Sequence, residues 1–299
     1  ELLISPQEFT SDIELVIRHN EDADVEDDAW VTPAYEVQVL VDGEPQTLFD
    51  HQVKMRMPVT NMDGVDAELL TLVKIEGDKL LFYGGKYDAE HGKLVALRSG
   101  LSTYAVMENN VTFDDLGAIA AWAGRSIEVA AAKGIISGRA EGQFDPRANV
   151  TRAEFATMLV KLFGLEREDR TTNAFADVAA DDWYMPYIAA AVEEELIFGR
   201  GNGMFEPNAE VTRVEMAVMA ARALQKYNRL TDVEQPEEFL QRFADTAGIH
   251  AGMQADTALA IREGIMKGQA KGVFHPDGNS TRAEAAVVIY NLLNLFDLK

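Results

Sequence analysis

Val150-Thr151-Arg152-Ala153-Glu154, Val211-Thr212-Arg213-Val214-Glu215 and Ser280-Thr281-Arg282-Ala283-Glu284 are three writings of one phrase. Each closes a longer unit. Phe113, Phe175 and Phe243 open the units within Phe-x-Asp, and Phe144, Phe205 and Phe274 follow 31, 30 and 31 residues later within Phe-x-Pro. Six residues before each second Phe stands a glycine (Gly138, Gly199, Gly268), and seven after it comes the threonine. Such a repeat is one structural unit that cannot bury its apolar face alone and stacks on its copies.

Within each copy the pattern reads helix, turn, loop, helix. Ala-rich first helices are predicted over 119–133, 186–194 and 253–263. Gly134 and Gly264 suit a left-handed C-cap; Glu195 stands there in the second copy, so that helix is expected to end differently. The second helices begin at Thr-Arg-x-Glu, a capping box in which the Thr hydroxyl accepts from the N3 amide and the N3 Glu reaches back to the N-cap amide. This explains Thr151 with Glu154, Thr212 with Glu215 and Thr281 with Glu284; each cap is worth about 1 kcal/mol. Apolar residues then recur at helical spacing (Phe155, Met158, Leu159, Leu162 in the first copy), so each second helix offers one stripe to its neighbours. Ala220 and Ala223 imply a close approach in the second copy.

Helix stability does not explain the arginines. A cation at N1 faces the positive end of the helix dipole, yet Arg152, Arg213 and Arg282 hold that place in all three copies. Beside free backbone amides, a guanidinium makes an anion site. The alternative is a bond to a carboxylate or carbonyl of a neighbouring copy. The first reading leaves three cations facing outward, whose replacement by alanine would weaken ligand binding and hardly move the melting temperature.

The chain has 299 residues, 47% of them hydrophobic, and a formal net charge of −23. Residues 1–110 carry 22 acids and 8 bases, and the remainder 28 and 19. Such a surface repels nucleic acid and anionic lipid, so an anionic ligand must be gripped by local cations. No apolar run is long enough to cross a membrane. Cysteine is absent, which excludes disulfides, thiolate metal sites and a Cys nucleophile. The opening Glu1–Ser5 lacks a basic region and apolar run, so it does not read as a signal peptide; Leu295 to Lys299 reads as a chain end.

Residues 1–108 alternate and turn. Tyr35 to Val41 meets Asp42-Gly43, Val53 to Met57 alternates apolar with basic, and further strand-like runs flank Gly77-Asp78 and Ser99-Gly100. Turn signals every ~8–12 residues predict an antiparallel β-sandwich. Glu21 to Asp28 holds six acids in eight residues. It reads as a solvated loop, with a calcium loop as the alternative, although it lacks the glycine and Asp spacing of an EF-hand. His19, His51 and His91 are scattered and read as surface residues.

Met57-Pro58, Gly77-Asp78, the turn Tyr87 to Lys93 and Ser102-Thr103-Tyr104-Ala105-Val106 together resemble a β-sandwich module of bacterial surface proteins over about residues 45–108. This implies a spacer role. Residues 111–299 resemble three S-layer homology repeats, of which Thr-Arg-Ala-Glu is the most specific mark. The division implied is 1–108 for the sandwich and 109–168, 169–230 and 231–299 for the repeats. The fold implied is a mainly helical pseudo-threefold spindle with grooves between copies. The implied function is noncovalent anchoring of an exported, cell-wall protein to a secondary cell-wall polysaccharide, often ketal-pyruvylated and hence anionic. By motif position, Arg152, Arg213 and Arg282 would clasp that carboxylate, a task in which Lys cannot match Arg. Gly138, Gly199 and Gly268 would line the grooves, and Trp122 and Trp183 would either stack on sugar or be core. The third copy lacks an aligned Trp and has the longer linker. Neither cofactor nor metal is expected, and other surface-layer proteins are a further class of partner. Two readings compete with the anchor. One is a lattice or scaffold protein. The other is a glycosidase built on paired carboxylates, which no nucleophile elbow or phosphate loop supports; a catalytic domain could instead lie elsewhere in a larger protein.

Overall fold

The computed structural model describes residues 1–3, 13–23, 29–167, 169–228, 230 and 233–296, with the side chains of Asp50 and His51 left aside. Residues 24–28 of the acidic loop lie outside the described residues; Glu21–Ala23 forms a 3-10 turn.

Ten strands lie among the described residues of the first 108: β1 (Leu2–Leu3), β2 (Ile13–His19), β3 (Tyr35–Val41), β4 (Glu44–Gln46), β5 (Leu48–Pro58), β6 (Leu70–Glu76), β7 (Lys79–Phe82), β8 (Lys86–Asp88), β9 (Lys93–Gly100) and β10 (Thr103–Glu108). All pairings are antiparallel. One sheet runs β1-β5-β9-β8, the other β2-β3-β10-β6-β7 with β4 beside β3. Alternation sets the faces. Val53, Met55 and Met57 of β5 turn inward with Leu94 of β9. They share a core with Val37 and Val39 of β3, Leu70 and Leu72 of β6 and Tyr104 of β10. Asp42 (φ 52°) and Gly43 (φ 85°) form the β3–β4 turn, where two positive φ values match the twist of a hairpin.

Seven α-helices follow among the described residues: α1 (Ala120–Ala132), α2 (Arg152–Leu162), α3 (Met185–Glu193), α4 (Arg213–Asn228), α5 (Glu237–Leu240), α6 (Ala251–Arg262) and α7 (Arg282–Leu295). The short α5 lies in the long linker. Capping boxes close α2 and α7, and Thr212 and Glu215 exchange the same two bonds at α4. The expectation for Glu195 is corrected. It adopts φ 59°, as Gly134 (68°) and Gly264 (72°) do, so all three first helices end alike. A left-handed Glu carries a steric cost that Gly does not.

The copies close on one another. Each first helix packs on the second helix of the copy before it: α3 on α2, α6 on α4 and α1 on α7. At the centre the Val211 amide donates to Val150, the Val150 amide to Ser280 and the Ser280 amide to Val211, each at 3.0 Å.

The sheets are joined to this ring rather than strung from it. Leu69 and Val95 belong to the helical core. Asn109 bonds the Ala132 carbonyl at 2.8 Å, Lys86 those of Asn294 and Phe296, and Tyr290 bonds Glu68 at 2.7 Å. Buried Lys133 donates to the carbonyls of Leu70 (2.8 Å) and Gly85 (2.7 Å). Burial pushes its amine down from 10.5 to about 7, against the pull of Glu68. The unfolded chain therefore holds more protons between these values, and stability rises with pH across that window. We expect the urea midpoint to climb from pH 7 to 9, and Lys133→Met to flatten the climb while lowering stability by about 2 kcal/mol through the carbonyls left without a donor. Equal slopes in the two proteins would contradict this.

Candidate functional site

The repeat motif first builds three identical loops. Asp115, Asp177 and Asp245 of Phe-x-Asp each accept two backbone amides of the later Phe-x-Pro, at 2.9 and 2.7 Å. The middle residues of Phe-x-Pro, Asp145, Glu206 and His275, all take φ of 58–59°, a left-handed strain that this clamp holds in place. Gly138, Gly199 and Gly268 have a packing reason. A Cβ on any of them would fall 2.6–2.9 Å from the ring of the opening Phe, whose partner is the second Phe at 5.2–5.6 Å between ring centres.

The arginines do not face outward. All three are at most 4% exposed. Arg152 donates to the carbonyls of Phe205 (2.8 Å) and Phe198 (2.9 Å) and to Glu215 (2.9 Å), all in copy two. Arg213 does the same to Phe274, Lys267 and Glu284 of copy three, at 2.8, 2.7 and 3.0 Å. Arg282 returns to Phe144 (3.0 Å) and Ser137 (2.6 Å) of copy one, where Glu154 is held by Arg139 at 3.3 Å. Each guanidinium also sits 4.6–5.2 Å over the second Phe ring. The second alternative thus describes their position. Thr and Glu cap a helix, and Arg crosses to the next copy, where the capping Glu receives Arg152 and Arg213 but not Arg282. Their burial predicts instead that alanine would lower the melting temperature.

The tryptophans are not core: Trp122 is 53% and Trp183 59% exposed. Trp122 stands at a groove of 720 Å³ between α1 and α7, whose lining draws on all three copies through Trp122, Arg213 and Gly268. Arg213 is its floor. Reading the motif missed Lys267, the residue before the repeated glycine. Its side chain is exposed, lines the groove and pairs with no other described side chain. Ser137 and Phe198 hold that position in the other copies, so no repeat signal marked it. Trp183, Gly138 and Gly199 do not line this groove.

In the sandwich, Asp88, Glu90 and His91 bring ligand atoms within 4.8 Å of one another. His91 Nδ1 lies 2.7 Å from Asp88, and Arg56 and Lys93 share their hollow, a setting that opposes a bound cation. Among the described residues no helix is long and apolar enough to cross a membrane.

The S-layer homology domain family matches residues 112–156, 174–217 and 242–286. An amylopullulanase from Thermoanaerobacterium thermosulfurigenes is 37% identical over 212 residues, 71% of this chain and 11% of the relative. The exoglucanase XynX of Acetivibrio thermocellus is 38% identical over 63% of this chain and 17% of the relative. An S-layer protein of Bacillus thuringiensis subsp. finitimus is 32% identical over 56% of this chain and 20% of the relative. The chain spans a fifth or less of these relatives. The chain carries three S-layer homology domains and belongs with the secreted, cell-wall-associated proteins that bear them.

Proposed function

We propose that the chain anchors a surface protein noncovalently by holding an anionic, pyruvylated secondary cell-wall polysaccharide in a groove between repeats of a pseudo-threefold spindle. S-layer homology domains bind cell-wall polymers and are not catalytic. The observation that carries the finer reading is the α1–α7 groove. It pairs an exposed indole face, suited to a sugar ring, with an exposed ammonium, suited to a carboxylate, on a protein whose net charge of −23 otherwise repels anions. Buried Arg213 forms part of the same lining. Residues 1–108 form one module fixed to the ring, and 109–168, 169–230 and 231–299 are the three repeats; any catalytic domain belongs elsewhere in the protein.

The test is sedimentation with purified Gram-positive walls. We expect the chain to pellet with intact walls and to stay in solution once hydrofluoric acid has stripped the polysaccharide. Equal pelleting with stripped walls overturns the anchoring reading.

A further inference from the structure

Three copies make three related grooves, and the chain treats them differently. The α1–α7 groove is lined by Ser126, Lys267 and Asn291. The motif spacing carries these to Tyr187, Ser137 and Lys161 in the α2–α3 groove and to Asp256, Phe198 and Arg222 in the α4–α6 groove.

At the α2–α3 groove, Tyr187, Ser137 and Lys161 line a hollow of 320 Å³ that is also walled by Leu80, Leu81, Phe82 and Tyr83, while Trp183, Gly138 and Arg282, the counterparts of Trp122, Gly268 and Arg213, do not line it. This is the β6–β7 hairpin of the sandwich. It sits against the floor: the Phe82 carbonyl lies 2.7 Å from where a Cβ on Gly134 would stand, so the contact is backbone on backbone. Tyr83 is held from behind by Arg98, whose guanidinium lies 3.5 Å over its ring. The plug is therefore fastened.

At the α4–α6 groove, Arg222 and Asp256 join the two helices at 3.0 Å, and the Phe198 ring lies 4.0 Å beneath the Arg222 guanidinium. In the open groove these places are held by Asn291, Ser126 and Lys267. The exposed cation is thus replaced by an aromatic ring, and the indole by Gly252.

We infer that the chain offers one polysaccharide groove, between α1 and α7, and that its own residues close the other two: the β6–β7 hairpin plugs one and the Arg222–Asp256 pair bars the other. This rests on the anchoring reading. It gives the sandwich a task beyond spacing, since a module fused to the ring sets how many ligands the ring takes.

Trp122 and Trp183 separate the possibilities because both are exposed aromatics at equivalent places, and trimming either leaves the core intact. Titrating the full chain with polysaccharide released from Gram-positive walls by hydrofluoric acid, Trp122→Ala should lose about tenfold or more in affinity. Trp183→Ala should change it less than about twofold. Amide exchange on the unmutated chain should show ligand protection around residues 265–269 and none around 135–139 or 196–200. A comparable loss in Trp183→Ala, or protection at either of the last two segments, overturns the single-groove inference and leaves anchoring intact. No binding by the unmutated chain overturns both.

Discussion

Arg152→Ala is expected to lower the free energy of unfolding by about 3–5 kcal/mol, the usual penalty for removing one partner of a buried charged pair. The loss has three parts. The carbonyls of Phe205 and Phe198 lose their donor, and Glu215 loses a cation at 2.9 Å. Leaving buried acceptors unpaired is what makes the change expensive. Glu215 also caps α4 and holds Arg200 at 2.6 Å, which limits the damage to its own charge but not to the carbonyls. Urea unfolding of the full chain measures this. A Lys267→Ala control, which touches an exposed side chain, should leave the midpoint in place and weaken wall binding instead. An unmoved midpoint in Arg152→Ala, with wall binding gone, would return the guanidinium to the ligand.

Arg98→Met should be as severe for a different reason. Arg98 and Glu166 meet at 3.1 Å between β9 and the segment after α2, with side chains 5% and 15% exposed. Burial pushes the Glu166 carboxyl above its ordinary value, while Arg98 pulls it down. Taking Arg98 away removes the strongest pull against burial and leaves Lys161 and a backbone hydrogen bond, so the carboxyl rises further. A carboxyl raised in the folded state stabilises below its unfolded value of 4.5 and loses that contribution as pH rises through the folded value. The destabilisation should therefore be about 3–5 kcal/mol at neutral pH and smaller in acid. Arg98→Met with Glu166→Gln should recover much of the neutral-pH loss, because no buried charge remains. A double variant as weak as the single one would show that packing over Tyr83, not charge, is what Arg98 supplies.

Much of the fold was legible in the sequence because its signals are local. Strand alternation, the Asp42-Gly43 turn, the helix spans and the Thr–Glu boxes each depend on residues within one turn or hairpin. The arginines misled because their reasons are not local. Judged against its own helix, a cation at N1 has no task, but its partners lie 46–145 residues away in the next copy. The packing reason for the glycines was hidden in the same way, since the ring that forbids a Cβ belongs to the Phe that opens the copy. Lys267 was invisible for the opposite reason: a repeat draws the eye to what is shared, and Ser137 and Phe198 stand at its position in the other copies.

The central cycle of Val150, Val211 and Ser280 bears on how such an anchor yields to force. In an open stack of repeats the outermost unit has one neighbour and can peel off first, so drag on a tether would undo the array piece by piece. Here each copy gives an amide to one neighbour and takes one from the other. There is no outermost unit, and detaching any copy breaks the ring at two places at once. A pull from the sandwich meets the ring at its joints with α1, α2 and α7 together, so the assembly should hold under shear until it gives way as a whole.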